Sequence, residues 1–389
     1  MNGSRRHDFD IAAGEVYLNG GADSPLPRAA RHAVDEAWAL QATPSRLPFE
    51  ALFSYADAIR ERAGRVLGLG ADEIGVTTST SFGIMLLAQG LCWRNGDRLL
   101  LGPDEFPSNA YPWFALEERG VQIETIGRAG RPLTADDLVR ALDAGGRVRA
   151  LSVAAVHYPT GDLHPLDELA GVLHAQGAIL VVDASQAAGA VAVDWQASGV
   201  DAIAVSGYKW LLGPYGTGIL WVRSGVRDSL ANVNGNWLAV DGARNLTRLM
   251  VEYPRTFERH GRVFDAGEVA SYFNLSAFRA GLDLLLDVGV ASVETFHRAL
   301  QDRAVEALAD APLRPVTNLA ATHRSPMLMF EGRDGLDLAR LEADLSTRHI
   351  AVSLRAGRMR LSPGIWNDAS DIDAFVEAVR ACTQGSWRE

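Results

Sequence analysis

Lysine is almost missing from this sequence: of 37 basic residues in 389, 36 are arginine and only Lys209 is lysine. Cysteine is nearly as scarce. Cys92 and Cys382 are the only two, too few for a disulfide framework and in no C-x-x-C metal pair. Positive charge is in deficit, with a formal net charge of −11, which argues against nucleic acid or an anionic membrane as the main partner, because both require a basic footprint. No apolar run approaches the roughly 20 residues that cross a bilayer. The opening "MNGSRRHDFDIAAGE" has Arg5 and Arg6 but no apolar stretch behind them, so it does not fit a secretion signal. The nine histidines show no metal-ligand spacing, and no metal is expected. No repeat or low-complexity tract interrupts the chain. These absences lead us to expect a cytoplasmic protein that acts on a small molecule.

What is present is an ordinary globular composition, 48% hydrophobic and 22% charged, in a chain long enough for two domains. Between residues 74 and 222 short β-rich runs alternate with helical stretches. "EIGVTT" precedes "SFGIMLLAQGLCW", and "DRLLLGP" precedes "SNAYPWFALEERG". "VQIETI" leads to "LTADDLVRALDAG" and "VRALSVAAV" to "PLDELAGVLHAQG", followed by "AILVVDA", "AIAVSG" and "GTGILWV". The runs are apolar almost throughout, as strands covered on both faces are. The pattern predicts a parallel or mixed sheet in a three-layer α/β domain over residues 19–255. Ligands of such sheets gather beyond the C-terminal strand ends. After "VEYPRTFERHGRVFDAGE" the texture turns to long helical stretches with a few short strands. That predicts a smaller α+β domain over residues 256–389, with residues 1–18 packing on it.

Lys209 sits between a buried run and a Gly-rich turn in "VSGYKWLLGPYGTGILWV". An ε-amine can lose its proton and attack a carbonyl to form an imine, whereas a guanidinium stays protonated. A single lysine is also what chance leaves in an arginine-biased chain, but its position favours function. "GPYGTG" opens a strand and not a helix, so it is a poor dinucleotide turn. In "ILVVDASQAAG", Asp183 closes a strand and Gln186 follows one turn later. A helix N-cap would account for Asp183 alone. A carboxylate at a strand end, 26 residues before the lysine, also meets the needs of pyridoxal phosphate (PLP). That cofactor takes an amine for its aldehyde and an acid that keeps its pyridine nitrogen protonated. "TTSTSFGIML" places Thr78, Ser79, Thr80 and Ser81 where a strand hands over to a helix. Free N–H groups and the helix dipole draw an anion there, and four hydroxyls exceed what capping requires. Ser206 and Tyr208 flank the lysine and offer further donors.

Together these elements resemble the class V, fold-type I PLP-dependent enzymes, the family of cysteine desulfurases, isopenicillin N epimerase-like proteins and related aminotransferases. "YLNGGADSPLP" is similar to the family's N-terminal segment, and "DEFPSNAYPW" resembles the desulfurase stretch "EHHANIVPW". "SGYKW" resembles the lysine motif "SGHK", with Tyr208 in place of histidine. The resemblance implies a mixed seven-stranded sheet, PLP as cofactor, an amino-acid-type substrate and a homodimer in which "ATPSRLPFEALF" reaches across. It implies Lys209 as the covalent anchor of PLP and carrier of the Cα proton, Asp183 as partner of the pyridinium nitrogen, and Gln186 against the ring's 3-oxygen. Thr80, Ser81, Ser206 and Tyr208 would hold the phosphate, and Phe106 takes the place of the aromatic that stacks on the ring. Arg360, in "MRLSPGIWND", resembles the arginine that grips the substrate carboxylate, a task suited to a guanidinium. Asn19 and Arg355 are further substrate-binding candidates, although a solvated loop is the ordinary place for Arg355 and Arg358.

Departures from the family pattern narrow the expected reaction. Desulfurases need a mobile cysteine shortly before the carboxylate-binding arginine, and "SLRAGRMR" holds none. Cys92 and Cys382 are expected to be small packing residues. Glu268 in "FDAGE" stands where many relatives place a threonine on the partner's phosphate, and "VHYPTG" has His157 and Tyr158 in place of an asparagine near the cofactor. The expected activity is C–S β-elimination from an amino acid or its conjugate without a persulfide-carrying cysteine, in natural-product biosynthesis. The alternatives are an aminotransferase, then an epimerase or a decarboxylation-dependent deamination. A non-catalytic binding module on the same fold predicts erosion of Lys209 or Asp183, and both are present.

Overall fold

The structure, a computed structural model, describes residues 4–258, 260–267 and 271–383. Glu268 lies outside the described residues. The chain begins with β1 (Val16–Tyr17), α1 (Arg28–Gln41) and α2 (Ala51–Leu67). An alternating series follows: β2 (Ile74–Thr77), α3 (Thr80–Gly90), β3 (Arg98–Leu101), α4 (Pro107–Phe114), β4 (Gln122–Thr125) and α5 (Ala135–Asp143). It continues with β5 (Val148–Ala154), α6 (Leu166–His174), β6 (Ile179–Asp183), β7 (Ala202–Ser206) and β8 (Gly218–Val222). These strands form one seven-stranded sheet in the order β2-β8-β7-β6-β5-β3-β4. It is mixed because β8 runs against both of its neighbours, β2 and β7, while the remaining pairs are parallel.

The apolar runs explain this placement. Every residue of β2, β3, β7 and β8 is buried, as strands covered by helices on both faces must be. Each fully buried leucine, isoleucine or valine here stabilises the fold by about 1.5–3 kcal/mol relative to leaving it exposed. Edge strand β4 is different: its Gln122 and Thr125 are exposed, and a polar edge discourages a further strand from adding. Local signals set the helix starts. Ser79 caps α3 by accepting from Phe82 N, and Thr134 and Asp137 form a reciprocal capping box on α5.

Beyond the large sheet come α7 (Ser224–Arg227), α8 (Leu246–Glu252), α9 (Tyr272–Val288) and α10 (Val290–Ala307). They are followed by β9 (Leu313–Pro315), β10 (Leu328–Gly332), α11 (Leu338–Thr347), β11 (Ile350–Ala351), β12 (Ser353–Arg355), β13 (Arg358–Leu361) and α12 (Ala369–Thr383). A second, antiparallel sheet runs β12-β13-β10-β9 over a core that includes Phe330, Leu345, Leu361 and Phe375. The N-terminal segment reaches this part of the molecule, pairing β1 in parallel with β11 and burying Leu18 in the second core. The change of texture near residue 256 does not coincide with the change of core. Helix α9 packs on α1 and α2, and its Leu275, Phe278 and Leu282 belong to the core of the large sheet. The close approach uses small residues, Ala277 and Ala280 against Ala30 and Ala33. In α10, Leu300 and Ala304 turn to the second core.

Candidate functional site

Strands β2, β3, β5, β6 and β7 release the chain at the same edge of the sheet, the edge where such folds collect ligands. Asp183 ends β6 directly beside Ala154, the last residue of β5, and Ser206 ends β7. Lys209 follows in a tight turn in which Leu212 N donates to Lys209 O at 3.1 Å. Leu212 itself is held in the left-handed region at φ 57°, a conformation that a leucine keeps only where its surroundings impose it. The N-terminal segment supplies part of that restraint: Ser24 N donates to Tyr208 O at 3.0 Å, and the Ser24 hydroxyl donates to the carbonyl of Lys209.

The same segment carries Asn19 to the second sheet. Gly20 N donates to Ser362 O at 2.9 Å and Gly21 N to Ser362 Oγ at 3.0 Å. A side chain at either glycine would intrude. A Cβ at Gly20 would lie 2.9 Å from the rings of Trp210 and Trp366, and one at Gly21 would lie 3.1 Å from the Arg360 guanidinium. This close approach lets Asn19 Oδ1 accept from Arg360 Nη2 at 3.0 Å. Arg360 is 2% exposed, and its Nε has no hydrogen-bond partner among the described residues. Burial, then the like charge of Arg355, pushes its pKa down to about 10.

A cavity of about 250 Å³ gathers Lys209, Asp183, Gln186, Phe106, Tyr208, Arg355 and Arg360. Lys209 Nζ stands 5.4 Å from the centre of the Phe106 ring. Burial lowers the pKa of the lysine, and Arg360 adds to the effect, while Asp183 and Asp23 oppose it. The amine is thereby moved toward its neutral, nucleophilic form. Asp183 Oδ1 accepts from Ser185 N at 2.9 Å. Gln186 is held at both ends, donating through Nε2 to Gly21 O at 2.9 Å and accepting at Oε1 from Trp210 Nε1 at 2.9 Å. That leaves one N–H of its amide for a ligand.

The hydroxyl cluster is tighter than the sequence suggests. Thr80 Oγ1 lies 2.7 Å from Ser185 Oγ and 2.9 Å from Ser206 Oγ, and Thr80 N donates to Ser206 Oγ at 3.2 Å. Ser185, unremarked in the sequence, therefore joins this group at the N-terminus of α3. Ser81, like Thr80 and Ser206, is not among the residues that line the lysine cavity. It opens with Thr78 and Ser79 on a neighbouring groove of about 1030 Å³, because a helix turns successive residues to different sides.

Other residues find places that sequence reasoning did not give them. Tyr208 stacks on Tyr215 with ring centres 4.1 Å apart, and the Tyr215 hydroxyl donates to Asp23; Asp23 and Tyr215 both line the cavity. Their union joins positions too distant in the chain for any local pattern to reveal. Tyr158 also faces the cavity, against Phe106. His157 instead is a buried brace, its ring nitrogens 2.9 Å from Thr160 Oγ1 and 3.2 Å from Asp104 Oδ2. Glu105, beside Phe106, accepts from Ala154 N at 2.9 Å and Asn109 Nδ2 at 2.7 Å. Burial pushes its carboxyl up to about 8. Arg355 is not on a solvated loop: β12 and β13 close a two-residue turn through Ala356 and Gly357, both at positive φ, and Arg355 faces the cavity. Cys92 is exposed, which corrects its expected packing role, whereas Cys382 packs partly buried on the second core.

The family model for aminotransferase class-V matches residues 16–375. The isopenicillin N epimerase of Streptomyces clavuligerus is 25% identical over 388 residues, covering 95% of each chain. Among solved structures, the cysteine desulfurase of Thermococcus onnurineus superposes with a TM-score of 0.83 at 21% identity, covering 98% of both chains. The cystine C–S lyase C-DES, in complex with its product cysteine persulfide, has a TM-score of 0.83 at 20% identity and covers 94% of this chain and 97% of that one. Both structural likenesses speak to the fold. Among the described residues no helix is long and apolar enough to cross a membrane, and no group of His, Cys, Asp and Glu could hold a metal ion.

Proposed function

The chain belongs to the aminotransferase class-V family and is a PLP-dependent enzyme, and on that premise we propose that it breaks a C–S bond by β-elimination from an amino acid or amino-acid conjugate. The residues of the cavity fit the cofactor. Lys209 Nζ has no carboxylate within ion-pair distance among the described residues, and only one oxygen of Asp183 is engaged there. Lys209 would anchor PLP, Asp183 would keep a proton on the ring nitrogen, and Phe106 would cover a ring face. Thr80, Ser81, Ser206, Tyr208 and the N-terminus of α3 would take the phosphate, with Gln186 against the 3-oxygen. When bound, PLP supplies an electron sink for the charge that develops at the substrate's Cα. Arg360 and Asn19 orient the α-carboxylate, and Lys209 Nζ takes the Cα proton, a task that burial favours by moving the amine toward its neutral form.

One observation carries the choice of reaction. Where desulfurases carry a mobile cysteine, this chain has the Ala356–Gly357 turn, two residues long and without cysteine. Cys92 and Cys382 lie outside the cavity. A released thiol, with no enzyme-bound persulfide, is the product that such a site favours. A relative of the same fold is named a cystine C–S lyase, which agrees with this choice. A homodimer agrees with the exposure of Trp38, Met250, Val251 and Tyr253, a set of apolar side chains that a partner would cover. An unusual substrate from natural-product biosynthesis agrees with the Tyr208–Tyr215–Asp23 wall.

The test is product analysis of the yellow holoenzyme with S-substituted cysteines. Pyruvate, ammonia and free thiol in equal amounts are expected, with Lys209→Ala losing turnover. Accumulation of pyridoxamine phosphate with a 2-oxo acid that keeps the sulfur would replace the lyase with an aminotransferase.

A further inference from the structure

The short hairpin that carries Arg360 holds more positive charge than one carboxylate requires. Ser353 lies opposite Arg360 and Arg355 opposite Arg358, and directly paired strand residues share a face. Alternation along each strand puts Ser353 and Arg355 on one side, and likewise Arg358 and Arg360. Three guanidiniums therefore project from one face, while Leu354 and Met359 turn to the second core. Among the described residues none of the three has a carboxylate within ion-pair distance, although the chain as a whole is acidic at −11. The same face holds two orphaned polar atoms, Arg360 Nε and Ser353 Oγ, both buried without a partner among the described residues.

The three arginines are not equivalent. Arg358 donates through Nη1 to Pro159 O at 2.7 Å and ties the hairpin to the loop after β5. Among the described residues Arg355 donates only to the adjacent carbonyl of Leu354, at 2.7 Å, and it lines the cavity with Arg360. The acidic groups of this wall are committed elsewhere: Asp23 accepts from Tyr215, and Asp183 would serve the ring nitrogen. We propose that the substrate carries a second carboxylate beyond its α-carboxylate, and that Arg355 is the specificity residue that receives it. This rests on the assignment of Arg360 to the α-carboxylate. A distal anion would offset the repulsion that Arg355 exerts on Arg360, and a guanidinium offers it a charge-assisted pair of hydrogen bonds.

The experiment uses the holoenzyme and ligands without an amine, so that binding is read apart from turnover. Succinate, glutarate and adipate are titrated by calorimetry against butyrate, valerate and hexanoate. One dicarboxylate is expected to bind about 10- to 100-fold more tightly than its monocarboxylate of similar length, the range for hydrogen bonds to a charged group. Arg355→Leu is expected to remove that preference, weakening the favoured dicarboxylate about 10- to 100-fold and the monocarboxylates distinctly less, and Arg355→Lys to restore part of it. Equal affinity for both series in the unmodified enzyme would overturn the proposal. So would an equal loss of both series in Arg355→Leu, the mark of a structural role. If the cofactor's visible absorbance is present and Arg360→Leu abolishes monocarboxylate binding, such a failure belongs to the second grip alone. If no visible absorbance is found, the PLP assignment falls too.

Discussion

Replacing Arg360 with methionine should make the protein more stable and a worse enzyme. The side chain is 2% exposed, yet it carries a charge whose only hydrogen-bond contacts among the described residues are Asn19 Oδ1 at 3.0 Å and the Met327 sulfur at 3.9 Å. Burial pushes its pKa down to about 10. At 1.36 kcal/mol per pH unit, holding the cation in the unliganded site costs roughly 3 kcal/mol. Above about pH 10, up to the ordinary arginine range, the unfolded chain binds the proton that the folded chain has lost, so stability from this group rises with pH there. Below pH 10 both states are charged, and the full cost is present at any ordinary assay pH. Methionine of similar length removes the charge and gives up the Asn19 bond, worth about 1.5–3 kcal/mol because its donor is charged. The net gain is about 0.5–1.5 kcal/mol, consistent with uncharged replacement of poorly paired buried ions. With an unfolding entropy of about 2.1 cal/mol/K per residue over 389 residues, that raises Tm by about 1–2 °C. Catalysis moves the other way: loss of a buried charge partner costs a bound carboxylate at least about 2 kcal/mol, or roughly 30-fold in kcat/KM. Differential scanning calorimetry and steady-state kinetics of the holoenzyme measure the two effects. A fall in Tm of several degrees would mean that the guanidinium is already satisfied by the protein, and an unchanged kcat/KM would remove it from the substrate site.

Gly20→Ala should cost about 1–3 kcal/mol by overpacking, because its Cβ would sit 2.9 Å from Trp210 and Trp366. By displacing Asn19 it should raise KM more than it lowers kcat. An unchanged denaturation midpoint would show that the two tryptophans can move. Glu105→Gln should change how stability depends on pH. With the carboxyl pushed from 4.5 to about 8 by burial, the folded chain keeps a proton that the unfolded chain has released in this window, so stability falls as pH rises through it. Between pH 6 and 8 the slope is worth at most about 2.7 kcal/mol. Glutamine should flatten it in urea titrations at the two pH values, since the Ser152 hydroxyl, 2.6 Å from Asn109 Oδ1, lets that amide turn over. An identical pH slope in both proteins would place the titrating group elsewhere.

Much of the large sheet was legible because its signal is local. Runs such as Ile179–Asp183 are apolar enough to require cover on both faces, and the Lys209 and Asp183 motifs sit at strand ends that such runs define. The second sheet was harder to bound, since α9 has the length and texture of the helices after it but packs with α1 and α2. Which way the Ser81 hydroxyl turns is beyond what a run of hydroxyls in the sequence can say. Its neighbour Thr80 turns toward Ser185 and Ser206, while Ser81 opens on another groove. Cys92 shows the same limit for burial, which residue type suggests and only the surrounding chain decides.

The sequence by itself determined which chemistry is available: a single ε-amine, an acid at a strand end and a hairpin without cysteine are facts of composition and order. Tertiary structure alone decided what surrounds that chemistry. Asp23 meets Tyr215, Asn19 meets Arg360 and Ser24 meets the lysine turn across 192, 341 and 185 residues of chain. Such pairings follow from strand order and from close packing at Gly20 and Gly21. Neither periodicity nor composition encodes them, because both describe neighbours along the chain and not neighbours in space.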